Sequence, residues 1–104
     1  MPALAVFISG AGGAIAALAV LGWLEHLPPN RWAGIRTRAS MASDEAWNRA
    51  HRAGGPWLLV AGLAWVVAGI GLAVGAGAAG AVAFVGGLAL IIVGGVVGDR
   101  AAKG

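Results

Sequence analysis

Two stretches of the chain carry no charged side chain, residues 1–24 and residues 56–98, and the polar segment 25–55 separates them. A membrane-spanning helix needs roughly 20 apolar residues to cross about 30 Å of hydrocarbon. The first stretch therefore predicts one helix, about 3–25. The second is 43 residues long and predicts two. Its break falls at Gly75-Ala76-Gly77-Ala78-Ala79-Gly80, where helix preference and apolar bulk are both low, giving helices of about 56–75 and 80–98. A signal peptide fits the first stretch poorly, because it has no basic residue ahead of the apolar run and exceeds the usual apolar length. Within the polar segment, Pro28-Pro29-Asn30 ends the first helix. Ser43-Asp44-Glu45 reads as a helix start, a capping side chain followed by acids in the first turn. A short helix over 44–53 lines up Trp47, Ala50, His51 and Gly54 on one face, and Gly54-Gly55-Pro56 bends the chain into the next span. The pattern predicts an all-α integral membrane protein, one domain over 1–104. It has three helices, a short interfacial helix between the first two, and a tail at 99–104. Trp47 is expected among the lipid headgroups.

Composition agrees. The chain is 60% hydrophobic and 11% charged with a mean hydropathy of +0.86, where a soluble domain is about a quarter charged. Three spans put the loop and the tail on one side, and that side carries Arg31, Arg36, Arg38, Arg49, Arg52, Arg100 and Lys103, every basic residue in the sequence. The positive-inside rule makes that side cytoplasmic and leaves the N-terminus outside. It also places the arginines near anionic lipid headgroups, the expected partner of the loop. The pI of about 11.3 comes from one loop and one tail, so it gives no basic face for nucleic acid. With no Cys, disulfides and thiolate metal sites are excluded.

The spans are rich in small residues, 19 Gly and 25 Ala in the whole chain. Gly71-x-x-x-Gly75 and Gly94-x-x-x-Gly98 have the spacing that lets helix backbones approach in lipid, and Gly10, Gly12 and Gly13 each have Ala four residues on. Packing of the protein's own helices is the simpler use of these residues; docking on a larger complex is the other. Trp23, Trp32 and Trp57 fall at the loop-side boundary, and Trp65 falls mid-span as a packing residue. Ser9 is the one hydroxyl in the spans and is expected to bond its own helix. A proton-coupled transporter needs an ionisable group in the membrane, and the spans offer none.

Chemistry, if any, must come from residues 25–55. Glu25-His26, and His51 with Asp44 or Glu45, have no metal-ligand spacing. Ser40 and Ser43 have no paired base for nucleophilic attack. Gly34 stands alone without the G-K-[ST] of a phosphate loop. Arg36 and Arg38 have the chemistry to grip an anion, or simply belong to a solvated basic loop. No catalytic residue, metal or cofactor is indicated.

The loop does carry a signature. Asn30-x-x-x-Gly34-Ile35-Arg36-Thr37, Ser40-Met41, Ser43-Asp44-Glu45-x-Trp47-x-x-x-His51 and Gly54-Gly55 resemble the motif of the SdpI family. These are bacterial membrane proteins named for immunity to a membrane-active peptide toxin. Arg38 stands where the family usually has Pro, and Ser40 where it has Thr. The three-span layout is similar to the C-terminal module of the longer immunity protein. The resemblance implies a non-catalytic protein of the bacterial cytoplasmic membrane acting in immunity or membrane signalling, with a peptide toxin or membrane-protein partner. The alternative is a small accessory subunit of a larger membrane complex. The implied site is Asn30, Gly34, Arg36, Thr37, Ser40, Glu45, Trp47, His51 and Gly55, holding the loop or binding lipid or ligand. Arg36, Asn30 and Trp47 are expected to cluster, with Arg36 paired to Asp44 or Glu45. Gly71, Gly75, Gly94 and Gly98 are expected at helix contacts.

Overall fold

The computed structural model describes residues 2–30 and 32–104; Arg31, one of the loop's basic residues, lies outside them. Three helices form: α1 (Pro2–Trp23), α2 (Asp44–Ala73) and α3 (Gly77–Ala102), with a short 3-10 helix (Ser40–Ala42) before α2. All three are long and apolar enough to cross a membrane, and the molecule measures 45 × 19 × 19 Å. Its long dimension is about that of a bilayer with its headgroups. Arg49 and Arg52 confine the hydrocarbon-facing part of α2 to the residues after them, and Asp99 closes that of α3.

α2 lies between α1 and α3 and packs on both, while α1 and α3 make no close backbone approach to each other among the described residues. The contacts are made by small residues. A methyl group on Gly12 would lie 2.5 Å from the Gly62 carbonyl oxygen, and one on Gly62 2.5 Å from that of Gly12, so the α1–α2 crossing is backbone on backbone. On the other side Gly71 meets Gly80, Gly87 meets Trp65, and Gly94 meets Trp57 and Leu58. Such closeness recovers the dispersion energy that lipid, already apolar, cannot supply as a hydrophobic drive. Trp65 is the packing residue expected, stacked on Phe84 at 4.7 Å with its indole N–H on the Phe84 carbonyl. Ser9 differs from expectation: its hydroxyl donates across to Val66 O of α2 at 3.0 Å, because Gly69 leaves room for it beside that helix.

Two boundaries differ from those the sequence predicts. No separate interfacial helix forms; residues 44–53 are the first turns of α2, which runs on through Pro56. Proline removes one N–H and crowds the preceding turn, yet the helix does not break. Gly54 is pressed against Gly94 O and Ile35, Gly55 against Ala19 O and Trp23, and a bend there would give up both contacts. The turn between α2 and α3 is shorter than the Gly/Ala run suggests. Gly75 (φ +83°) is the left-handed residue after the α2 C-cap, with Ala76 N–H on Gly71 O at 2.7 Å. A side chain there would meet open space, so its role is to end α2 and not to admit a close helix approach. The end of α1 uses the same bonding, His26 N–H to Leu21 O, but its left-handed residue is Glu25 (φ 62°).

Candidate functional site: the loop folded on Trp47 and His51

Ser43 caps α2 as its position suggests, its side chain accepting the Ala46 N–H at 3.0 Å. That start sets the helix phase and puts Trp47, Ala50, His51 and Gly54 on the buried side. Trp47 and His51 meet as residues on neighbouring turns of one helix do, with ring centroids 4.3 Å apart and the planes tilted by 37°. The loop folds over them. Trp47 is wholly buried and its indole N–H donates to Leu27 O at 2.7 Å, a correction to the headgroup placement. The ring sits inside the protein because the Leu27 carbonyl, four residues past the end of α1, accepts the N–H that an indole must satisfy when buried.

His51, 2% exposed, bonds through both ring nitrogens. Nε2 lies 2.9 Å from the Ile35 amide and Nδ1 2.8 Å from the Trp47 carbonyl. A backbone N–H only donates and a C=O only accepts, so the ring is neutral with its proton on Nδ1. Burial pushes its pKa below the ordinary histidine value, against the opposing effect of the Trp47 carbonyl. Gly34 is the close neighbour. It has φ +106°, and a methyl group there would lie 2.7 Å from His51 Nε2 and 3.0 Å from the Trp47 ring. Both conformation and space demand glycine.

The polar signature residues spend their hydrogen bonds on the loop's own backbone. Asn30 accepts from the Trp32 and Ala33 N–H groups, each at 2.8 Å, and donates to Pro28 O at 2.9 Å. Ser40, fully buried, donates to Ile35 O at 2.6 Å and accepts the Thr37 N–H at 2.9 Å, while Thr37 Oγ1 accepts the Ser40 N–H at 3.1 Å. Thr37 also bonds the Asp99 carboxylate of α3, which with Lys103 holds that carboxyl below its usual pKa. Gly55 serves the α1 contact, and Gly98 receives Ile35 and the Ala50 carbonyl. The structure therefore brings Gly34, Thr37, Ser40, Trp47 and His51 together, with Ser40, Trp47 and His51 buried, Thr37 half-buried and Gly34 at the surface over the two rings. Asn30 sets its own turn, and Arg36 is exposed beside the buried Ile35.

Two participants were not singled out from the sequence, Asp99 and Arg49. Arg49 Nη2 donates to Ala102 O at 2.8 Å and Nε to Ala101 O at 3.2 Å, while Nη1 pairs with Glu45 at 3.1 Å. Its guanidinium thus donates to the last two carbonyls of α3, at a helix C-terminus where a cation is favoured. The Glu45–Arg49 spacing is a legible helix pair; the carbonyls of α3 are not visible in sequence.

Ser40 Oγ and both His51 ring nitrogens are bonded to backbone and not to each other. Among the described residues no three His, Asp or Glu side chains gather as a metal site. Beside His51 lies an apolar cavity of about 180 Å³, lined by Ile15, Leu18 and Ala19 of α1, Gly34, His51 and Leu58, and Ile91 of α3.

The family model described as the SdpI/YfhL protein family matches residues 26–98, which takes in the loop, α2 and most of α3. No curated protein and no solved structure matches the chain. With a match over most of its length, spanning the loop that folds on Trp47 and His51 together with α2 and most of α3, the chain belongs to the SdpI/YfhL family.

Proposed function

We propose that this protein is a non-catalytic, immunity-type component of the bacterial cytoplasmic membrane, protecting against a membrane-active peptide toxin or serving a related signalling step. Family membership over residues 26–98 is the observation that carries this reading. The site geometry is compatible with it, since the buried side chains of His51 and Ser40 bond the loop's own backbone and hold it to α2. In this reading the loop and C-terminus face the cytoplasm, with Arg36, Arg38 and Arg52 near anionic headgroups. A toxin arriving from outside meets the α2–α3 turn and the start of α1. The test is survival: cells lacking the gene and cells expressing it are challenged with a panel of membrane-active peptides. Expression is expected to raise survival against at least one of them, and equal survival throughout overturns the reading.

A second reading, an accessory subunit of a larger membrane complex, is favoured by one observation. Gly10, Gly13, Gly86 and Gly95 have open space where a side chain would be, leaving small-residue surface unused by the protein's own packing. Co-purification of a stoichiometric large partner would support it.

A further inference from the structure

We propose that His51 is a proton-operated latch: protonation of its Nε2 releases the Gly34–Ile35 segment from α2 and opens the loop-side wall of the adjoining cavity. The geometry is specific. Nε2 accepts the Ile35 amide at 2.9 Å, and Nδ1 is committed to the Trp47 carbonyl at 2.8 Å. A proton on Nε2 would face an N–H with an N–H, and the ring cannot turn over, because the same clash would arise with Nδ1 facing the amide. Sliding aside is blocked as well: Gly22 of α1 and Gly34 crowd the ring within about 3 Å of where their methyl groups would be. Gly34 and His51 are both part of the wall of this partly open cavity, so parting them widens its mouth on the loop side.

Among the described residues no carboxylate bonds the ring. From α1 it meets Gly22, from the loop Gly34 and Ile35, from its own helix Trp47, and across the cavity Ile91 of α3. Three carboxylates are engaged elsewhere, Glu25 with Arg52 at 3.8 Å, Glu45 with Arg49 at 3.1 Å, and Asp99 with Thr37 and Lys103. His26 is exposed at the end of α1. The closed loop holds a neutral ring, whereas a histidine in an open loop titrates near 6.5. Closure is therefore fully favoured above that pH and weakened as pH falls below it.

The test is NMR and amide hydrogen exchange on the full chain in lipid nanodiscs between pH 7.5 and 5.0. At pH 7.5 the His51 ring should show the Nδ1–H tautomer. On acidification, protection of the Ile35 amide, corrected for intrinsic exchange, should fall by up to about 30-fold, the limit that a histidine of ordinary pKa in the open state allows. Amides of the apolar part of α2 should hold. His51→Gln keeps an acceptor for the Ile35 amide but cannot be protonated, and should stay closed across the range; His26→Gln should behave as wild type. Three results overturn the latch: an Nε2–H tautomer at pH 7.5, unchanged Ile35 protection at pH 5.0, or the same acid opening in His51→Gln. If His51→Gln does not fold, the tautomer and the wild-type protection still decide.

Discussion

Glu25 and Gly34 both place the backbone in the left-handed region, but only one of them is glycine. For an L-residue with a side chain that conformation costs about 1–2 kcal/mol. Glu25→Gly is therefore expected to raise stability by about 1 kcal/mol, read from denaturation in detergent micelles, less the small contribution of its long ion pair with Arg52. The opposite holds at Gly34. Gly34→Ala adds a methyl group against His51 and Trp47 at a φ that alanine resists, and a loss of about 2 kcal/mol or more is expected. An alanine variant as stable as wild type would mean that the loop can move off the Trp47–His51 pair without cost. Asp99 lends itself to titration. Thr37 first and Lys103 second hold its pKa below 3.8, so its contribution is present above that value and fades as pH falls through the lowered one. Asp99→Asn should flatten any loss of loop order below about pH 4 in the Thr37 amide signal.

At the scale of elements, α2 and α3 each exceed their apolar spans toward the loop side, and each extension has a cause there. α2 begins early because Ser43 caps it and Trp47, Ala50 and His51 are buried by the loop. α3 continues to Ala102 because Arg49 receives its last carbonyls. Arg49→Ala should fray the final turn of α3, with hydrogen exchange there accelerated and a stability loss of about 1–3 kcal/mol, as for hydrogen bonds to a charged group. Glu45→Ala should cost only a few tenths of a kcal/mol, since an exposed pair one turn apart contributes little.

For the molecule as a whole, α2 is the spine and the small residues on its two sides decide the architecture. Gly62→Leu should separate α1 from α2 and abolish the folded state. Gly13→Leu points into open space and should leave folding intact. The pair also divides the two functional readings: loss of function or of a co-purifying partner in folded Gly13→Leu would assign that open surface to docking. Retained function with no partner would return it to lipid.

The number of helices and their membrane-spanning character were legible in the sequence, because charge is excluded from hydrocarbon and every charged residue falls in two short segments. The signature loop was legible too, as residue types at fixed spacing, and so was the start of α2 at Ser43. What those residues do was decided by partners distant in the chain. Trp47 moved from an expected headgroup position to the protein interior because Leu27 O, twenty residues earlier, accepts its N–H. Gly54-Gly55-Pro56 reads locally as a break, yet contacts with α1 and α3 hold it helical. Arg49 and Asp99 look like ordinary surface charges until the end of α3 and Thr37 are brought to them. Local sequence determines which segments can enter the membrane and where a helix is capped. It carries no record of which carbonyl a buried donor will reach, and in this fold that pairing is what gives the loop its shape.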